Sequence, residues 1–112
     1  MEDCIFCKII NGDIPSEKVY EDDKIYCFKD INPVTPVHVL IVPKKHISSL
    51  NETMDEDKEI LGYILFKAKD IAKILGIEDN GYRIVTNCGE NAGQSVFHIH
   101  FHLLGGKTLS WP

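Results

Sequence analysis

The 112-residue sequence contains no run of 18 apolar residues and no basic stretch leading into an apolar segment near Met1. Neither a membrane span nor a secretory signal is therefore expected. It also lacks an excess of positive charge: 12 Lys and Arg stand against 17 Asp and Glu, a net charge of −5. That argues against broad nucleic-acid binding, for which a basic stripe is expected. Cysteine is sparse, at positions 4, 7, 27 and 88, and without a secretory signal no disulfide framework is expected. The reading is a cytoplasmic protein. Linkers, repeats and low-complexity stretches are missing too, so residues 1–112 are expected to form a single domain. A chain of this length builds one core, and pairing with a second copy would help it bury surface.

What the chain does have is histidine in a pattern. Three of its five histidines, His98, His100 and His102, alternate with Phe97, Ile99, Phe101 and Leu103. Period two is the strand period, so the imidazoles are expected on one face and the apolar side chains on the other. Imidazole alone has an unperturbed pKa near neutrality, which makes such a row a source of nucleophile, acid, base or metal ligand. A solvent-facing strand would draw on Lys, Glu and Thr instead.

Around this row the elements read in short runs. Ile5 to Ile10 suggests a helical turn closed by Asn11-Gly12. Val19 to Glu21 and Ile25 to Phe28, joined at Asp22-Asp23, suggest a hairpin. Pro33 and Pro36 keep the segment between them out of helix, and Val37 to Val42 is a strand that Pro43 ends. Thr53 and Glu56 form a capping-box pattern, with acidic residues 55–57 in the first turn. Ile60, Leu61, Ile64, Leu65, Ala68, Ile71, Ala72 and Leu75 then mark the apolar face of one long helix, terminated by Gly76. Tyr82 to Asn87 and the histidine row supply two more strands. The sum is an α+β domain: a five-stranded antiparallel sheet, one long helix and a short N-terminal helix.

Local chemistry leaves several readings open. The loop Gly89 to Ser95 offers backbone N–H groups and a hydroxyl beside the imidazoles, suited to a phosphate that a neutral histidine attacks. Asp30 is either an acceptor for a ribose diol or a cap for the turn at Asn32-Pro33. Cys4-Ile5-Phe6-Cys7 is half a zinc site, a redox pair or two buried thiols, and its place at the chain start disfavours a thioredoxin-type motif. Three alternating histidines can also be ligands of a catalytic metal.

The motif His98-Ile99-His100-Phe101-His102-Leu103-Leu104 resembles the signature of the histidine-triad (HIT) family of nucleotide hydrolases and transferases. The resemblance runs from Cys4 to Pro112 through residues 5–10, Asp30-Ile31, residues 36–38, residues 42–47 and residues 93–96. Gly105-Gly106, where dinucleoside polyphosphate hydrolases carry Pro-Arg, and the ending Trp111-Pro112 resemble the histidine-triad nucleotide-binding (HINT) branch.

The resemblance implies a purine nucleoside phosphoramidase acting on adenosine or guanosine 5′-phosphoramidates and aminoacyl adenylates. His100 would be the nucleophile, passing through a nucleotidyl-histidine intermediate. His102 would hold the phosphate oxygens, Ser95 would assist the leaving amine, and His38 and His98 would orient the others. Asp30 would bind the ribose. Phe6, Ile9, Phe28 and Ile31 would line the purine slot, with Asn87, Gly93 and Gln94 adding polar contacts. Catalysis in the family needs no metal, yet relatives with the C-x-x-C imply a structural zinc on Cys4, Cys7, His46 and His98. A homodimer is implied as well, with helices and the Tyr82-to-Asn87 strands meeting in a ten-stranded sheet and the Trp111 tail approaching the partner's site. With Pro112 last, a longer tail is expected to be absent. The alternatives are a nucleotide-binding regulatory module with little catalysis, or a dinucleoside polyphosphate hydrolase.

Overall fold

In the computed structural model, residues 3–112 are described; residues 1–2 of the expected domain lie outside them. Five strands, β1 (Lys18–Glu21), β2 (Ile25–Lys29), β3 (Val37–Pro43), β4 (Tyr82–Val85) and β5 (Phe101–Gly105), form one antiparallel sheet in the order β1-β2-β3-β5-β4. The helices are α1 (Ile5–Ile10) and α2 (Lys58–Ile74). The fold class is thus as the sequence predicts. Among the described residues no helix is long and apolar enough to cross a membrane.

The two central strands β2 and β3 are buried on both faces, which explains their unbroken apolar runs. Ile25, Cys27, Val39 and Ile41 face Ile64, Ala68, Ile71 and Ala72 of α2. Tyr26, Phe28, Leu40 and Val42 face the other way, under Phe6 and Ile9 of α1. Cys27 is an apolar core residue: burial pushes its thiol up to about 12. The hairpin is tied to α2 by Asp22, whose carboxylate accepts from the hydroxyls of Tyr20 and Tyr63 and from the N–H groups of Lys24 and Ile25.

Four details depart from the sequence reading. The capping box sits one residue later than expected: Met54 N–H donates to the Asp57 carboxylate at 2.9 Å. Thr53 is unavailable as a cap because its hydroxyl donates to the Leu50 carbonyl of the preceding turn. Leu65, at the margin of the apolar face, is exposed together with Phe66 and Ile74. Strand β4 stops at Val85, since the Thr86 hydroxyl turns to the His100 carbonyl at 2.8 Å. The histidine row is not one strand either, because β5 starts only at Phe101. Ahead of it, Ile99 N–H leaves the ladder for the Ile47 carbonyl at 2.7 Å, and Phe97 points to solvent. The period-two alternation survives from Ile99 to Leu103, with Ile99, Phe101 and Leu103 in the α2-facing core.

Gly76 ends α2 in the left-handed region, and the Ile77 N–H returns to the Ala72 carbonyl. This seats Ile77 directly on Gly105, where a β-carbon would lie 2.8 Å from the Ile77 Cδ1. Gly105→Ala is therefore expected to lose about 1–3 kcal/mol by overpacking. Gly62→Ala is the opposite case, on the exposed side of α2 with nothing within 4 Å of the added carbon. It is expected to gain about 0.5–1 kcal/mol. Urea midpoints of the two variants check the pair, and equal shifts would contradict the packing argument.

Candidate functional site

Five histidines gather between the N-terminal helix and the sheet, and backbone groups settle which nitrogen of three rings carries the proton. A carbonyl only accepts and a backbone N–H only donates, so each such partner fixes a tautomer. His98 is fully buried, and its Nε2–H donates to the Pro43 carbonyl at 2.7 Å. Its Nδ1 lone pair then points at two thiols. His100 donates from Nδ1–H to the His98 carbonyl at 2.8 Å, so the neutral ring keeps its lone pair on Nε2. Phe6 stands edge-on to this ring, with centroids 5.1 Å apart.

The third tautomer is fixed from further away. Val34 N–H donates to His38 Nδ1 at 3.1 Å, which places the His38 proton on Nε2. That N–H donates to His102 Nδ1 at 2.9 Å, and the Asp30 carboxylate lies 3.3 Å from the same nitrogen. His102 is left with its proton on Nε2, turned out of the network. The sheet makes this pairing: His38 lies opposite Leu104 and His102 opposite Leu40, a diagonal relation on one face. Burial lowers the pKa of His38 against the pull of Asp30, and burial with His100 and His38 alongside brings His102 down to about 4. Within the pair each ring carries its proton on Nε2.

Cys4 and Cys7 face His46 and His98. Cys4 caps α1 by accepting from Cys7 N–H, which brings both sulfurs to the helix start. Cys4 Sγ lies 3.3 Å from His98 Nδ1, Cys7 Sγ lies 3.6 Å from it, and Cys7 Sγ lies 3.5 Å from His46 Nδ1. A tetrahedral zinc with ordinary Zn–S and Zn–N bonds sets such S–N edges at about 3.5 Å. The set is Cys₂His₂, and the Pro43 carbonyl supplies the outer partner that metal-bound histidine normally has. Burial and the Cys4 thiol beside it push Cys7 up to about 11, so the Cys7 thiolate needs a cation to form. These residues fit zinc.

Asp30, His38 and His102 also bring three donor atoms within 4.8 Å of one another. This second cluster is not built for a metal. Ligation through His38 Nε2 would move its proton to Nδ1, directly against the Val34 N–H.

Of the remaining nominated residues, Phe6, Ile9 and Phe28 pack together as a buried floor, with Phe6 and Phe28 ring centroids 5.5 Å apart. Ile31 stands apart at 90% exposed on the loop after Asp30. Gln94 is spent on the loop itself. Its side-chain oxygen accepts from Gly89 N–H, its amide nitrogen donates to the Ser48 and Val96 carbonyls, and its backbone N–H goes to the Gly89 carbonyl. Gly93 N–H is likewise taken by the Glu90 carbonyl. The N–H groups of Ser95 and Val96 and the Ser95 hydroxyl make no hydrogen bond among the described residues. Ser95 is exposed and lines a cleft of about 450 Å³ with Val96, Phe97, Ile5, His46 and Cys4. Asn87 lies in the coil after β4, beside the Thr86 that holds the His100 carbonyl.

Sequence reasoning missed Val34, Pro43 and Thr86. The first two act through backbone groups, which no side-chain pattern announces, although Pro33 and Pro36 mark the loop that carries Val34. A larger cleft of about 670 Å³ runs along α2 past Lys24, Lys44, Lys45 and Phe66. Its lysines are engaged, Lys44 with Glu21 at 2.7 Å, Lys45 with Asp57 at 2.6 Å and Lys24 over the Tyr63 ring, so it carries no comparable chemistry.

An antiparallel sheet with a histidine row at the start of its last strand and two more imidazoles beside it defines a histidine-triad protein. Comparison agrees: the profile of the HIT domain matches residues 11–109. A 14 kDa zinc-binding protein of Zea mays is 52% identical, over 96% of this chain and 85% of that one. A HIT family hydrolase from Legionella pneumophila superposes with a TM-score of 0.95 at 49% identity, covering 98% of each chain. A histidine triad protein from Clostridium difficile gives 0.97 at 49% identity, covering 100% of this chain and 97% of that one. The chain belongs to the HIT family.

The tautomer network has a measurable consequence. His102 moves from an ordinary 6.5 to about 4 on folding, so between those values the unfolded chain binds the extra proton. Stability is then complete above about pH 6.5, falls as pH drops toward 4, and levels off below. Urea midpoints from pH 7 to 4 are expected to slope less in His102→Gln than in the wild type. Parallel slopes would show that His102 is not held neutral.

Proposed function

We propose that the protein is a purine nucleoside phosphoramidase of the histidine-triad nucleotide-binding type, acting on adenosine or guanosine 5′-phosphoramidates and aminoacyl adenylates. The observation that carries this reading is the fixed tautomer of His100, whose Nε2 lone pair is free while Nδ1–H is anchored on the His98 carbonyl. The hydrolase from Legionella pneumophila, sharing 49% of residues over nearly the whole chain, supports hydrolysis as the reaction class.

Each group then has a task. His100 Nε2 attacks the α-phosphorus and the P–N bond breaks, forming a nucleotidyl-histidine. The departing amine takes a proton from solvent water relayed by the Ser95 hydroxyl, which gives its own proton to the nitrogen and regains one from the water. His102 cannot supply that proton, because losing it would leave two rings with a single proton between them. It donates from Nε2–H to a phosphoryl oxygen and stabilises developing charge. The free N–H groups of Ser95 and Val96 cradle the phosphate. Asp30 accepts from the ribose diol, and the base lies against Ile31 over the floor of Phe6, Ile9 and Phe28. Water attacks the phosphorus of the intermediate, releases the nucleoside monophosphate and restores His100.

The same reading places a zinc ion on Cys4, Cys7, His46 and His98, as the zinc-binding relative in maize supports. When bound, the ion supplies folding energy and no step of the reaction. A homodimer is part of the reading too, supported by the exposed Leu65, Phe66 and Ile74 on α2 and by the open edge of β4.

Hydrolysis of a fluorogenic adenosine 5′-phosphoramidate tests the reaction. The wild type is expected to turn over, to leave an AMP adduct on His100 after acid quench, and to lose roughly 10⁴-fold or more in His100→Ala. AMP binding without turnover would make the protein a nucleotide-binding module instead. Turnover of diadenosine polyphosphate alone would place it with the dinucleoside polyphosphate hydrolases. Metal analysis tests the zinc: one equivalent per chain is expected in protein never exposed to chelator, with loss of the metal and a lower Tm in Cys7→Ser. Turnover that ends on chelation while the fold persists would move the metal into the chemistry.

A further inference from the structure

Asp30 holds two positions at once. Its Oδ1 accepts from Asn32 N–H at 2.8 Å, which closes the turn after β2. Its second oxygen lies 3.3 Å from His38 Nε2, the nitrogen whose N–H also serves His102 Nδ1 at 2.9 Å. The proton is given to His102, with the Asp30 carboxylate charge held beside it. Val34 N–H on His38 Nδ1 keeps the ring from changing tautomer. The backbone locks the geometry further, because Asp30 N–H donates to the His38 carbonyl at 3.0 Å. The carboxylate is partly open to solvent while His38 is buried, so a ligand reaches the first and acts on the second.

The geometry points to a relay through which the ribose of the substrate tunes His102. The inference rests on the reading of Asp30 as the acceptor for the ribose diol. A diol that takes the Asp30 oxygen draws the carboxylate charge away from the His38 N–H, which is then pulled more strongly toward His102 Nδ1. Hydrogen bonds in a chain polarise one another, so the His102 Nε2–H becomes a stronger donor. That donor faces the phosphoryl oxygens, where charge grows in the transition state. Contacts made by the ribose, remote from the breaking P–N bond, are in this way expressed in the chemical step. Asp30 and His38 are positioning residues here, acting through His102.

The test compares adenosine and 2′,3′-dideoxyadenosine 5′-phosphoramidates of the same fluorescent amine in single turnover, with wild type and His38→Asn. The missing hydroxyls do not alter the phosphorus or the leaving group, so any effect on the saturated rate reports the relay. In the wild type the dideoxy substrate is expected to slow the saturated step about tenfold, within the usual range for coupling between two sites, and to raise the half-saturating concentration. In His38→Asn the rate penalty disappears and the binding penalty remains. A wild-type penalty confined to binding, or an equal rate penalty in both proteins, overturns the relay.

Proton NMR of the wild type gives a second reading that needs neither turnover nor a variant that folds. The His38 Nε2–H resonance is expected to move downfield with AMP and to stay in place with 2′,3′-dideoxy-AMP. Equal shifts with both ligands overturn the relay. Absence of turnover on the adenosine substrate would overturn the phosphoramidase reading alone, and the NMR comparison would still decide the relay.

Discussion

Three backbone groups, the Pro43 and His98 carbonyls and the Val34 amide, hold the arrangement of the site together. A histidine imidazole has two distinct nitrogens that can carry its proton, close enough in energy for one hydrogen bond to decide between them. A hydrogen-bonded carbonyl selects the choice at modest energetic gain but with full geometric consequence. Because Pro43 takes the His98 Nε2–H, the Nδ1 of His98 faces the two cysteines. Because the His98 carbonyl takes the His100 Nδ1–H, the outer nitrogen of His100 is a lone pair. Because Val34 donates to His38, the proton on His102 faces outward. Lone pair and N–H end up on neighbouring rings, 5.1 Å apart between centroids.

The failure of the histidine row to be a single strand follows from the same requirement. Strand β5 has β3 on one side and β4 on the other, so every N–H and carbonyl within it is taken by the ladders. Had the strand begun at Phe97, the carbonyls of His98 and His100 would have been spent in pairing. By entering the ladder only at Phe101, the chain leaves the His98 carbonyl for the His100 ring and the His100 carbonyl for the Thr86 hydroxyl. Thr86 in turn is free because β4 stops at Val85. Two strand ends that look like shortfalls in the sheet are the source of the acceptors the site needs.

These particulars show where the sequence was legible. Periodicity carried the fold: α2, the hairpin and β3 lie close to where apolar spacing and turn residues put them, and the alternation from Ile99 to Leu103 told the core side from the histidine side. Side chains of special chemistry were legible too, since the histidines and the C-x-x-C converge on two clusters sharing the element around His98. Backbone acceptors were not legible, because every residue has a carbonyl and only tertiary structure says which one is left over. The hydrogen bonds that hold a loop's own shape were hidden for the same reason. Gln94 and Gly93 look like ligand donors in a glycine-rich loop, but the loop consumes their hydrogen bonds to hold its own shape. Thr53 has the right identity for a helix cap, and the preceding turn had already claimed its hydroxyl.

The two clusters also show why proximity of donors is a poor guide to metal. Both bring nitrogen, oxygen or sulfur atoms within the same distance of one another. In the first, the outer nitrogen of His98 is already protonated toward a carbonyl, so its inner lone pair is presented at no further cost, and two sulfurs stand at tetrahedral spacing. In the second, the backbone has chosen the opposite tautomer for His38, and the nearest N···N separation, 2.9 Å, is that of a hydrogen bond already made. One fold thus uses the same device, a backbone group on one imidazole nitrogen, to turn a lone pair toward two thiols in one place and a proton toward a second imidazole in another. Since the His98 carbonyl anchors His100, the first cluster and the His100 ring are joined through a single residue, and whatever fixes His98 fixes the direction of the lone pair two residues on.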